Sequence, residues 1–157
     1  MSLLRNTWLT WASSFVLGGF FLYACWHKIV DPPDFLNIVY NYKIVPAAYI
    51  NGAAIFMPWI ELFAGLAVVT GIGRRGGALW LSLMLVVFIG ALAFNLYRGH
   101  PTICGCTDTH EAGLKMTDEQ KFWQMKTDIL RDVGLFLLAI QVQIACMSQG
   151  HDAPMTE

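Results

Sequence analysis

The chain is predicted to be an all-α integral membrane protein, a bundle of four helices that cross a lipid bilayer. Three observations predict it. Hydrophobic residues make up 56% of the 157 residues and charged residues only 13%, against about 25% charged in a typical soluble domain. Mean hydropathy is +0.51. Four continuous apolar runs each approach the ~20 residues that a helix needs to span a ~30 Å hydrocarbon core. The runs do not alternate in polarity, so helices rather than barrel strands are expected. A soluble chain of this size needs more polar surface to cover itself, and lipid demands none.

The four runs cover about residues 8–29, 47–72, 77–97 and 129–147, within a single membrane domain over residues 1–157. Asp31-Pro32-Pro33 ends the first, because proline lacks an N–H and restricts the residue before it. Pro46 opens the second. The second and third hold one charge between them, Glu61, and are joined by a tight turn carrying Arg74 and Arg75. Residues 98–126 form the one long polar connection. Trp8, Trp11, Trp26, Trp80, Tyr97 and Trp123 fall near span ends, where aromatic anchors sit in a bilayer. Ser14 and Gly18 in the first span, with Ala64 and Gly65 in the second, would let helices approach closely. No small-x-small cleavage site follows the first run, and a bulky tyrosine spoils Leu22-Tyr23-Ala24-Cys25 as a lipoprotein site. The first run is therefore expected to stay as a span.

A net charge of −1, with no basic run or stripe, excludes a nucleic-acid partner from the expected functions. The four cysteines, Cys25, Cys104, Cys106 and Cys146, are too few for a disulfide scaffold but enough for a redox or metal site. With four spans, both termini and the Arg74-Arg75 turn share one side of the membrane. The other side gathers Cys25, His27 and Lys28 from the first span, Asn95, Arg98, His100, Cys104 and Cys106 after the third, and Arg131 and Asp132 at the start of the fourth. Cys146 lies at the opposite end and reads as a small apolar core residue.

Cys104-Gly105-Cys106 is the sharpest motif. Glycine relaxes the backbone between two thiols, and a disulfide inside Cys-x-Cys closes a small strained ring, which favours exchange. Arg98, His100 and His110 are placed to lower thiol pKa values. A soft-metal site of the two thiolates with His100 or His110 is a competing reading, and a structural pair is another. Cys25, about one turn before the end of the first span, is a candidate third thiol for relaying the disulfide, or a buried core thiol. A charge in mid-span is costly and usually faces a bundle interior. Glu61 is therefore a candidate proton or quinone site, or a structural hydrogen-bonding group. Lys28 is its candidate ion partner, unless it snorkels to the surface. Arg131 and Asp132 are read as interfacial anchors, or as groups that orient the cysteine loop or pair between helices.

Four stretches carry a family resemblance. They are Cys25-Trp26-His27-Lys28-Ile29-Val30-Asp31-Pro32, followed by Phe35, Tyr40 and Val45-Pro46; Pro58-Trp59-Ile60-Glu61-Leu62-Phe63-Ala64-Gly65-Leu66; Cys104-Gly105-Cys106; and Arg131-Asp132. In this order and spacing the chain resembles the DoxX-like membrane proteins, and within them the MauE branch named for methylamine utilisation. The resemblance implies a four-helix membrane bundle associated with redox chemistry, in particular disulfide formation or electron transfer to quinone. It matches Cys104 and Cys106 to the family's Cys-Gly-Cys, Lys28 to its basic residue before Asp-Pro, and Glu61 to its acid in the second span. Thr107-Asp108-Thr109-His110 departs from the aromatic residue and glycine that often follow the second cysteine.

The expected function is thiol–disulfide exchange by Cys104 and Cys106, through Cys25, with a periplasmic or membrane redox protein. Electrons would pass on to quinone or a partner, although no specific quinone motif is present and no cofactor is firmly implied. The alternative is a non-catalytic anchor or assembly subunit of a larger redox complex. A carrier using Glu61 is a third reading, disfavoured by the absence of repeats. Arg5, Arg74 and Arg75 on one side face Lys28, Lys43, Arg98, Lys115, Lys121, Lys126 and Arg131 on the other. That raw count would put the cysteine loop in the cytoplasm. The compactness of the Arg74-Arg75 turn and the demands of disulfide chemistry favour the bacterial inner membrane with the cysteine loop in the periplasm.

Overall fold

The computed structural model describes residues 7–106 and 110–151, with side chains for 7–106 and 112–147. Among the described residues six helices follow one another: α1 (Thr7–Val30), α2 (Pro32–Tyr42), α3 (Ala47–Thr70), α4 (Arg74–Tyr97), α5 (His110–Leu114) and α6 (Asp118–His151). No strand occurs among the described residues. Helices α1, α3, α4 and α6 are each long and apolar enough to cross a membrane. They pack in a closed ring, α1 on α3, α3 on α4, α4 on α6 and α6 back on α1.

The outer faces of this ring stay apolar. Phe15 and Val16 on α1, Phe56 and Phe63 on α3, Leu83 and Val86 on α4, and Leu137 on α6 are all exposed. A helix that is hydrophobic all round is a membrane span or a deeply buried one, and these outward side chains are where lipid contacts the protein. Trp8, Trp26, Tyr97 and Trp123 are exposed near helix ends, as the anchor reading expects.

Small residues set the α1–α3 crossing. A Cβ on Gly18 would lie 2.8 Å from the Gly65 carbonyl and 2.5 Å from a Val69 methyl. Close backbone approach of this kind drives helix association in lipid, where the hydrophobic effect is absent. Polar links tie α6 to its neighbours further along. Ser13 Oγ donates to Gln141 Oε1 at 2.6 Å, and Gln143 Nε2 donates to Ser82 Oγ at 2.6 Å. Leu17, Phe21, Val68, Leu81, Leu85, Ala139 and Val142 fill one half of the core. The other half, at the cysteine end, is built from Ile38, Tyr42, Phe88, Leu92, Ile103, Cys104, Cys106 and Met125.

Two elements differ from the sequence expectation. The segment between the first two apolar runs carries a helix of its own. Asp31 ends α1 and also caps α2, its Oδ1 accepting from the Asp34 N–H at 3.3 Å, while the prolines take the first helical positions, where no N–H is needed. Phe35, Ile38 and Tyr42 then recur on one buried face. The last helix starts at Asp118, eleven residues before the expected 129. Thr117 and Gln120 form a reciprocal capping box, Thr117 N–H to Gln120 Oε1 at 2.9 Å and Gln120 N–H to Thr117 Oγ1 at 3.4 Å. Hydropathy marks only the membrane-crossing part of a helix. The polar first turns of α6 stand beyond it and flank the cysteine loop.

Candidate functional site: a buried thiol pair over a buried ion pair

Helix α2 folds back over the end of the bundle and covers the loop after α4. Gly105 has φ +71, a left-handed conformation suited to glycine, and a Cβ there would meet Ile38 of α2 at 2.9 Å. The glycine thus turns the loop and lets α2 sit on it. Tyr42 Oη donates to the Cys104 carbonyl at 3.3 Å, tying the end of α2 to the same loop. On the far side, the Thr102 N–H points at Met125 Sδ, 3.4 Å away on α6.

The loop held in this way brings Cys104 and Cys106 together. Both are free thiols, 3.1 Å apart between Sγ atoms and only 1% and 5% exposed. A disulfide needs about 2.05 Å, so closing the pair takes a sulfur movement of about 1 Å. Cys104 Sγ also donates to Asp132 Oδ2 at 3.9 Å, and Arg131 Nη2 donates to Cys104 Sγ at 3.5 Å. Arg131 is held from both sides, by Asp132 Oδ1 at 2.9 Å and Asp128 Oδ1 at 2.8 Å, and lies over the Phe20 ring. The hydrogen bond to Cys106, then burial, then the negative charges of Asp132 and Asp128 push the Cys104 thiol well above its usual range.

Beneath the thiols, Lys28 of α1 and Glu61 of α3 form a buried ion pair, Nζ to Oε1 2.7 Å and to Oε2 2.9 Å. They are 3% and 0% exposed. Phe35 and Phe88 flank the ammonium, their ring centroids 4.8 and 5.3 Å from Nζ. Lys28 does not snorkel, and it lies within electrostatic reach of both loop thiols.

Cys25 is buried close to this pair, but its thiol donates to the Leu22 carbonyl of its own helix at 3.2 Å and makes no hydrogen bond to Cys104 or Cys106. Arg98 does not face the thiols. It is exposed and lies over the Phe94 ring. His100 lines a cavity on the outer side of the loop, with Asn41, Thr102 and Lys121. Asn95 is buried near the end of α4, and His27 is exposed against Tyr23. The His110 side chain and Thr107-Asp108-Thr109 lie outside the described residues. Among the described residues no three potential metal ligands converge. The cation at the thiol is therefore Arg131, and the expectation that Arg98 and His100 lower the thiol pKa is replaced by a thiol held up by burial and acids.

Tyr42 and Asp128 are site residues that the sequence reading passed over. The i,i+3 spacing of Asp128 and Arg131 was a usable signal. For Tyr42 there was none, since its role depends on where α2 folds.

Two clefts approach the thiol pair. One, of about 180 Å³, is lined by His27, Lys28, Asp31, Asp34 and Gly105 together with Phe35 and Ile38. The other, of about 100 Å³, is apolar and includes Val39, Met57, Phe88 and Cys104. Phe35 and Ile38 line both, so a two-residue wall on α2 separates a polar approach from an apolar one.

A family model described as methylamine utilisation protein MauE matches residues 6–145. The chain belongs to the MauE family. The MauE protein of Methylophilus methylotrophus is 27% identical over 122 residues, which cover 77% of this chain and 63% of that one. The MauE protein of Paracoccus denitrificans is 28% identical over 133 residues, 84% of this chain and 67% of that one. This MauE chain thus spans about two thirds of the length of the curated relatives it matches. No solved structure is significantly similar to it.

Proposed function

We propose that this MauE chain is a thiol–disulfide protein of the bacterial inner membrane that serves methylamine utilisation, the process for which its relatives are named. The observation that carries the reading is the Cys104–Cys106 pair, two thiols in contact at 3.1 Å beside a charged network that is otherwise costly to bury. The pair exchanges a disulfide with a periplasmic or membrane redox protein. Cys25 serves as a third thiol only if loop movement brings the pair to it and its thiol leaves the Leu22 carbonyl. The kinship with DoxX-like proteins is supported by Lys28 ahead of Asp31-Pro32 and by Glu61.

A quinone fits the apolar cleft in composition, with Phe35, Val39, Met57 and Phe88 as the residues that would hold it next to Cys104. When bound, it would supply a two-electron acceptor for the thiols. The cysteine loop faces the periplasm in this reading. Lys28 and Arg131 are engaged by buried acids, which narrows the basic count from seven against three to five against three without reversing it, and the reading rests on the demands of disulfide chemistry. Arg5, on the opposite side, lies outside the described residues.

The test is the state of Cys104 and Cys106 in intact cells, read with a membrane-impermeant alkylating reagent with and without prior reduction. Label that appears only after reduction supports an exchanging periplasmic disulfide. Loss of partner oxidation in the Cys104→Ser, Cys106→Ser chain is the second expected result, and undiminished oxidation there would overturn the reading. The burial of both thiols favours one rival, a non-catalytic anchor or assembly subunit whose loop is a docking surface. Copurification of a stable partner that survives the double serine change would support that rival.

A further inference from the structure

We propose that Asp132 is the proton acceptor for Cys104, with Arg131 as the cation that receives the resulting thiolate. The inference deepens the thiol–disulfide reading and rests on it.

Among the described residues Cys104 Sγ has three polar neighbours: Cys106 Sγ at 3.1 Å, Arg131 Nη2 at 3.5 Å and Asp132 Oδ2 at 3.9 Å. The two oxygens of Asp132 do different work. Oδ1 is engaged by Arg131 Nε at 3.1 Å and Nη2 at 2.9 Å, while Oδ2 faces the thiol. A carboxylate with one oxygen clamped and the other on an S–H is arranged as a positioned base. Arg131 is itself fixed by Asp128 and by the Phe20 ring, so it need not reorganise when negative charge appears on sulfur. The other charged or titratable groups packed around Cys104 are Lys28 on α1, paired with Glu61 on α3, and Tyr42 on α2. Tyr42 donates its hydroxyl to the Cys104 carbonyl. Asp128 also acts on the thiol through its charge, while its Oδ1 is committed to Arg131.

The Cys104 S–H bond breaks and its proton goes to Asp132 Oδ2. The thiolate attacks one sulfur of a partner's disulfide, forming a mixed disulfide and expelling one partner thiolate. Cys106, losing its proton to that thiolate, attacks Cys104 Sγ and expels the second partner thiolate, which takes the proton held on Asp132 Oδ2 and so returns the carboxylate. The chain loses two protons and two electrons, and the partner gains both as two thiols. Microscopic reversibility makes protonated Asp132 the proton donor when the flow runs the other way.

The test is the rate at which the full chain, reduced and purified in detergent, closes the Cys104–Cys106 disulfide with hydroxyethyl disulfide at pH 7, read by mass after acid quench. Asp132→Asn is expected to slow closure by at least about 100-fold, the lower range for a lost general base. The opposite sign marks the rival. If Asp132 acted only as a repelling charge, its removal would ease thiolate formation and closure would be faster. Closure by the folded Asn variant at or above the wild-type rate overturns the proposal. Asp132→Glu keeps the carboxylate and is expected to restore part of the rate. A folded Glu variant as slow as Asn also overturns it, and this arm stands if the Asn variant does not fold. Failure of the wild-type chain to close the disulfide at all would sink the thiol–disulfide reading itself, a result distinct from the others.

Discussion

Lys28 and Glu61 meet inside the helix ring, with Nζ 2.7 Å from Oε1 and 2.9 Å from Oε2, and both are buried. The pair joins α1 to α3 directly below the thiol loop. Desolvating two charges is expensive, and a buried pair repays it only through close geometry. The bidentate contact and the flanking Phe35 and Phe88 rings supply that geometry here.

Breaking the pair on one side should therefore cost more than removing it. Glu61→Gln or Lys28→Met alone leaves a buried charge unpaired and is expected to cost about 3–5 kcal/mol. Lys28→Met with Glu61→Leu removes both charges and should recover most of the loss. Thermal unfolding of the four chains in detergent measures this. Single variants no less stable than the double would show that the two residues are not coupled.

Gly105 is expected to tolerate no side chain while Ile38 is present. Alanine there meets the left-handed conformation, worth about 1–2 kcal/mol, and also the Ile38 side chain at 2.9 Å. Gly105→Ala should lift α2 from the loop and speed alkylation of Cys104. Adding Ile38→Ala should relieve the steric part and leave the backbone part. Equal alkylation rates in wild-type and Gly105→Ala chains would show that α2 does not cover the thiols.

Alkali should destabilise the fold, and Cys104 should carry part of the effect. Its thiol is raised well above the usual range by the Cys106 contact, burial and the nearby acids. In the unfolded chain it ionises near its ordinary value of about 8.5. Above that pH the unfolded state sheds a proton that the folded state keeps, so stability falls as pH rises and goes on falling up to the folded value. Tyr42 is shifted in the same direction, chiefly by burial, and adds to the loss above pH ~10. Melting curves from pH 7 to 10.5 should show a smaller decline for Cys104→Ser than for the wild-type chain. Parallel declines would count against the assignment.

Gly18 and Gly19 offer a paired test of the α1–α3 crossing. A Cβ on Gly18 would run into the Gly65 carbonyl and Val69, whereas one on Gly19 meets nothing within 4 Å. Gly18→Ala is expected to lower the melting temperature clearly, and Gly19→Ala to leave it unchanged or raise it slightly through better helix propensity. The reverse order would mean that α1 is rotated about its axis.

The four spans were legible because hydropathy is a property of consecutive residues. Any run of about 20 apolar residues meets the bilayer in the same way, whatever it packs against. The Asp31-Pro32-Pro33 break was legible for a similar local reason, although the same three residues also start α2. That second role depends on Phe35, Ile38 and Tyr42 finding a surface to cover. The start of α6 was missed because its capping box lies in polar sequence, where hydropathy is silent.

The candidate site divides along the same line. Residue type and position alone singled out Cys104, Cys106, Lys28 and Glu61, since paired thiols around a glycine and charges within apolar runs are unusual wherever they fold. The sequence offered Lys28 as a candidate partner for Glu61, and tertiary structure decided that they meet and chose the other partners. Lys28 reaches Glu61 across 33 residues of sequence, Cys104 reaches Asp132 across 28, and Tyr42 reaches Cys104 across 62. It also turned Arg98 outward and set Arg131 against the sulfur in its place. A four-helix ring brings helix ends together that are far apart in the chain, and the rotation of each helix selects which side chains meet there. No local signal in the chain records that rotation.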